Sequence, residues 1–172
     1  MMFLSIALLA LVGSTAAAPV DAIAQGSKHT VYLMTCTRSG LLDCPLLILC
    51  DKNSTAAPNS AAASRFTAVA YFANGPPSGI RSSPTSLTTV SQGIQPWEGT
   101  QRVATINREG FSSNIDAGAG ALPKGQIAGN AKLGNEDFVC FTDGSLRISG
   151  EEDLGLTTWS CTASYYCPSV AV

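Results

Sequence analysis

Residues 65–73 read RFTAVAYFA, and this stretch decides the fold class. Alternation by two puts Phe66, Ala68, Ala70 and Phe72 on one face, and Val69 and Tyr71 on the other. Both faces are apolar, so the segment reads as a central strand covered on each side. Its neighbours point the same way. Residues 30–37 (TVYLMTCT) are rich in β-branched and aromatic types, and 45–50 (PLLILC) form a short apolar run suited to a buried strand. Further strands are expected at 86–90, 102–107, 126–133, 137–142, 146–149 and 156–163. Turn residues separate them: Asn74-Gly75-Pro76-Pro77, Glu109-Gly110, Gly134-Asn135 and Asp143-Gly144. The last pair, between DFVCFT and SLRIS, is the sharpest local signal, because Asp-Gly readily takes the positive φ angles of a two-residue hairpin. No segment carries an apolar stripe of helical period. Residues 114–122 (NIDAGAGAL) allow one helical turn or two, weakened by their glycines. The expectation is a single all-β domain, a disulfide-stapled sandwich or small barrel with at most a short helix.

Composition bounds the rest. The chain has 172 residues, a length that suits one domain, and 45% hydrophobic content is enough to bury a core. A net charge of −2 lacks the basic footprint of a nucleic-acid binder. Residues 1–18 hold no charged side chain, and the run FLSIALLALV at 3–12 precedes six small residues. That is the pattern of a signal peptide, and the run is shorter than the roughly 20 apolar residues a bilayer span needs. Residues 19–27 (PVDAIAQGS) read as a flexible leader and 28–172 as the β-rich domain. The expected product is a secreted, extracellular monomer with no membrane span. Asn53-Ser54-Thr55 is a glycosylation sequon at the head of a Ser/Ala/Pro-rich stretch, which marks Asn53 as a candidate glycan site.

Six cysteines fall in two clusters, Cys36, Cys44 and Cys50, then Cys140, Cys161 and Cys167. An even count behind a signal peptide implies three disulfides, and six cysteines allow 15 pairings. At least one bond is expected to cross the cysteine-free gap of about ninety residues and tie the first strand to the last. Local pairing, such as Cys36 with Cys50, is the competing arrangement. No CxxC occurs, and with one histidine the spacing fits no zinc site, so neither metal nor other cofactor is expected.

Few side chains can carry chemistry. His29, the lone histidine, would have to serve any Ser-His-acid triad, yet it stands at a strand start and no G-x-S-x-G elbow is present. One histidine also rules against histidine-brace copper oxygenases and two-histidine ribonucleases. Carboxylate chemistry needs two acids held together, and Glu98, Glu109, Asp116, Glu136 and Asp137 are available. Glu98 follows Trp97, an aromatic beside an acid. Glu151-Glu152-Asp153 reads as a solvated loop, since three adjacent acids do not face one point as a Ca²⁺ site requires. Trp97, Tyr165 and Tyr166 are the candidate binding aromatics, the two tyrosines in a tethered loop between Cys161 and Cys167. Trp159 shares strand parity with Cys161 and is expected to pack on a disulfide.

From HTVYLMTC to SCTASYYC the chain resembles the small secreted cysteine-containing proteins of filamentous fungi that are described as effector candidates. The resemblance rests on the leader, the Ala/Ser/Pro-rich stretches and the two cysteine clusters, and it carries over no functional residue. It implies a non-enzymatic binding protein acting on a protein or glycan at a host or cell-wall surface. A small extracellular carboxylate-dependent hydrolase acting on polysaccharide is the alternative, and an antimicrobial or killer-type toxin is a third.

Overall fold

In the computed structural model, which describes residues 27–40, 64–78, 82–152 and 157–170, the strands form one antiparallel sheet. They are β1 (Thr30–Gly40), β2 (Ser64–Phe72), β3 (Ser86–Gln92), β4 (Arg102–Ile106), β5 (Glu109–Ile115), β6 (Ile127–Leu133), β7 (Glu136–Thr142), β8 (Arg147–Glu152) and β9 (Thr157–Pro168). Their order across the sheet is β3-β2-β1-β9-β7-β6-β5-β4, with β8 also beside β9. The sheet curls until its end strands, β3 and β4, lie next to each other, which makes a nearly closed barrel. Among the described residues the helical content is one 3-10 turn, Ala119–Ala121.

The alternation read in 65–73 is what the barrel uses. β2 pairs with β1 on one side and β3 on the other, and it is buried from Phe66 onward. Val69 and Tyr71 join an inner core with Val31 and Leu33 of β1 and with Ile106, Phe111, Ile115, Leu133 and Phe138 from the far strands. Residues from both ends of the strand order meet there because the sheet is curled. Phe66, Ala68, Ala70 and Phe72 face the other way, into an outer cluster with Tyr32, Met34, Ile148, Trp159 and Tyr166. One disulfide lies in each cluster. Cys36–Cys161 joins β1 to β9 across a sequence separation of 125, and Cys140–Cys167 joins β7 to β9 across 27. The first is the bond between clusters, from first strand to last, that the spacing predicts. Cys161 and Trp159 share the outer cluster, as their parity requires.

A bulge in β9 changes which of its side chains face the barrel interior. Leu33 pairs with Tyr165 and Met34 with Ala163, so Ser164 is an extra residue. Side chains alternate strictly along a strand, and one added residue swaps the faces. Before the bulge Trp159, Cys161 and Ala163 point outward; after it Tyr165 and Cys167 point into the barrel.

Several expectations fail here for identifiable reasons. Asp143-Gly144 does not close a hairpin. β7 and β8 do not pair with each other; both run along the same edge of β9, Thr142 opposite Tyr165 and Arg147 opposite Thr162. Asp143 N–H donates to Ser164 O and Gly144 N–H to Ala163 O, so the chain continues along β9 through a kink in which Gly144 supplies φ 78°. The positive φ is real, but β9's free edge captures what a hairpin partner would have taken. Tyr165 and Tyr166 sit in β9 itself, not in a loop, because that strand runs on to Pro168. Glu151 and Glu152 belong to β8. β5 escapes the sequence reading because inward Ser113 interrupts its apolar row, and the turn before it is Asn107-Arg108, with φ 50° and 72°, not Glu109-Gly110. Ser27, at the end of the expected leader, is buried and donates to Ser169 O at 2.9 Å. The signal peptide, the rest of the leader, the strand at 45–50, Cys44, Cys50, Asn53 and Asp153 lie outside the described residues. No helix among the described residues is long and apolar enough to cross a membrane.

Candidate functional site

Three polar arrangements interrupt the apolar design. The first is a groove on the inner face of β1, β9 and β8, beyond the point where the inner core ends. Thr35, Thr37 and Ser39 continue the parity of Val31 and Leu33, and on β9 Thr158, Ser160 and Thr162 face the same way. The register sets them in rows. Thr37 stands opposite Ser160, which stands opposite Ser149; Ser39 stands opposite Thr158, which stands opposite Glu151. The groove encloses about 690 Å³ and takes its lining from these rows and from Gly150 and Trp159, which alternate with them along β8 and β9. Trp159 packs flat on Gly150, where a Cβ would stand 2.4 Å from Cζ2 of the ring. Thr158 donates to Ser39 O at 3.3 Å. The hydroxyls of Thr37, Ser149 and Ser160 have no partner among the described residues.

The second is a smaller cleft of about 290 Å³ at the β9 bulge, where Ser164 opens the sheet. Trp97 is anchored in the inner core, 2% exposed, and this turns Glu98 to the cleft. Tyr165 O–H donates to the Glu98 carboxylate. Burial pushes the Tyr165 phenol well above its ordinary range, and the Glu98 hydrogen bond and charge push it the same way. Gly120 lets the Glu98 carboxylate approach, since a Cβ there would stand 3.1 Å from Oε1. Opposite lies Asp143, its side chain 7% exposed, accepting from Ser145 N–H at 3.1 Å and Ser145 O–H at 2.6 Å and paired with the Lys124 ammonium at 3.3 Å. Two carboxylates thus share one cleft. Asp143 escapes the sequence reading because Asp before Gly in a chain of strands signals a turn, and it is one: the carboxylate caps its own kink.

The third is a clasp between the strand ends. His29 Nδ1 lies 2.9 and 2.8 Å from the two Glu136 oxygens, and Ser169 O–H donates to the same carboxylate. Ser169 N–H bonds His29 O at 2.9 Å. The order is hydroxyl, carboxylate, imidazole. A nucleophile triad needs the imidazole in the middle, touching the hydroxyl. The lone histidine therefore holds β1 to the end of β9 and to β7 instead of activating a nucleophile.

The candidate aromatics are core residues. Trp97 is 2%, Tyr165 1% and Tyr166 7% exposed, so none forms a contact face, and Tyr166 stacks on Phe141 with ring centroids 5.4 Å apart. Of the proposed acids, Glu98 alone reaches the cleft; Glu136 is in the clasp, Asp137 pairs with Lys132 on the surface at 3.2 Å, and Glu109 and Asp116 are exposed. Among the described residues no three His, Cys, Asp or Glu side chains gather in a way that would hold a metal ion. The hydroxyl groove had a visible signal, alternate Ser and Thr in 35–39 and 158–162, but such residues are common on solvated strand faces. Comparison with protein families, with curated proteins and with solved structures finds no match.

Proposed function

We propose that this protein is a secreted, non-enzymatic binding protein acting at a host or cell-wall surface, and that the groove on β1, β9 and β8 is its contact face. The observation that carries the reading is the row of Thr37, Ser160 and Ser149, whose hydroxyls have no partner among the described residues and are held in register on a disulfide-stapled sheet. Such groups bind without reacting: each both donates and accepts, and among the described residues the lining holds neither a thiol nor an imidazole to activate them. A mature, oxidised sample is expected to bind a surface extract saturably and release it chemically unchanged. Turnover of the bound material would overturn the reading.

The cleft at Glu98 and Asp143 favours a second reading, the carboxylate-dependent hydrolase acting on polysaccharide. Its weakness is the absence of an evident acid. Both carboxylates accept from donors, and the Tyr165 phenol is held protonated by burial, a poor proton source. If the hydrolase reading is right, Glu98→Gln abolishes polysaccharide cleavage and leaves thermal unfolding unchanged; if no cleavage is found in the native protein, that reading ends.

A further inference from the structure

We propose that the occupant of the groove is a neutral polysaccharide, lying across β1, β9 and β8 with its hydroxyls paired to the serine and threonine rows. This rests on the binding function proposed above and narrows it to one ligand class. Neighbouring strands stand about 4.8 Å apart and alternate residues along a strand about 6.7 Å apart. The rows through Ser160 and Thr158 therefore form a small lattice of hydroxyls at regular spacing, open to solvent. A ligand that satisfies it must offer many groups able to donate and accept at short intervals, which is the chemistry of a sugar chain.

Other ligands match less of the lattice. An apolar peptide or a lipid needs an exposed apolar anchor, and the large apolar ring nearest the groove, Trp159, lies on the opposite face of β9, buried in the outer cluster. An extended peptide carries its polar groups on the backbone and pairs with a strand edge, not with a face. An anionic polymer meets no cation in the lining, where Glu151 is the charged side chain at the end of the Ser39–Thr158 row. Arg65 and Arg147 stand outside the lining, opposite Thr37 and Thr162. One carboxylate at one end does not make a site for a polycation. Thr37, Ser160 and Ser149 form the central row, and their hydroxyls have no partner among the described residues, so a ligand displaces water there without breaking an internal bond.

The experiment is calorimetric titration of the oxidised protein with soluble fragments of a neutral β-glucan, of chitin, of polygalacturonate and of chitosan. A neutral fragment is expected to bind. Thr37→Ala and Ser160→Ala should each weaken it about two- to tenfold, the range for one hydrogen bond. Ser160→Arg, which fills the central row, should abolish binding, and Arg65→Ser should leave it unchanged. The alanine variants keep the test alive should Ser160→Arg not fold. Tighter binding of polygalacturonate or chitosan than of both neutral fragments overturns the ligand class while leaving the groove as a contact face. Capture of a protein that Ser160→Arg abolishes, with no fragment bound, also overturns the ligand class. Binding of any partner that none of the groove variants alters overturns the groove itself.

Discussion

The two halves of β9 have the same secondary structure and different surroundings. From Thr157 to Ala163 one face of the strand is buried in the outer cluster, and the other presents Thr158 and Ser160 to solvent. From Tyr165 to Pro168 every residue is buried, with Tyr165 and Cys167 in the inner core and Tyr166 in the outer cluster. Ser164 stands between them. One inserted residue lets a single strand serve as a two-faced core element at one end and, at the other, as a one-faced strand with a row of exposed hydroxyls. It also opens the cleft into which Glu98 reaches. Bulges re-aim side chains because the pleat has a strict period of two.

The largest expected effect comes from removing that residue. Deleting Ser164 would swap the faces of Tyr165 and Cys167, or slide the end of β9 by one position against both β1 and β7. Either way the Cys140–Cys167 pair loses its register. The cost should exceed about 4 kcal/mol, the range reserved for wholesale core disruption. Chemical denaturation and disulfide mapping check it. A deletion variant that keeps both bonds and most of its stability would break the contrast between the halves.

The next effect separates the halves through their disulfides. In the chain-entropy treatment, replacing Cys36 and Cys161 with alanine releases a loop of 125 residues and costs about 5 kcal/mol; replacing Cys140 and Cys167 releases 27 and costs about 3.5 kcal/mol. Equal losses in a denaturant series would place the stabilisation in local packing and not in the unfolded chain. A smaller effect belongs to Gly150. A methyl there would stand 2.4 Å from Trp159 Cζ2, so Gly150→Ala must lift the ring and should cost about 1–3 kcal/mol, with a changed tryptophan emission.

Much of the fold was legible, because it depends on alternation that residues display locally. RFTAVAYFA gave both faces of β2 correctly, and Trp159 with Cys161 followed from parity. What failed was what depends on partners. Asp143-Gly144 has the chemistry of a hairpin turn, but whether a positive φ closes a hairpin or kinks a continuing strand is decided by which edge lies alongside, and β9 is distant in sequence. Sequence alternation places Tyr165 and Tyr166 in a loop, because the bulge at Ser164 breaks the pattern that would extend the strand. The hydroxyl groove needs three strands in register. The alternate Ser and Thr of 35–39 and 158–162 display two solvated strand faces, and only the pairing of β1, β9 and β8 joins them to 149–151 in one groove.

The smallest effect, and the one that sharpens the contrast most, is at Tyr165, the first residue past the bulge. Its hydroxyl donates to Glu98, and Tyr165→Phe removes that bond while leaving the ring in the inner core. Glu98 keeps access to water, so the loss at neutral pH should be near 1 kcal/mol, typical of one hydrogen bond. A larger difference emerges in alkali. Burial raises the phenols of both Tyr165 and Tyr32 in the folded chain above the ordinary value of 10.0. Above pH 10 the unfolded chain ionises these phenols more readily than the folded one, so stability falls as the pH rises toward the raised folded values. In Tyr165→Phe that alkaline slope should shrink and not vanish, because Tyr32, in the outer cluster, still contributes. Denaturant midpoints followed with tyrosinate absorbance decide it. An unchanged slope would mean that the phenol beyond the bulge is as solvated as the hydroxyls before it, and the two halves of β9 would no longer differ.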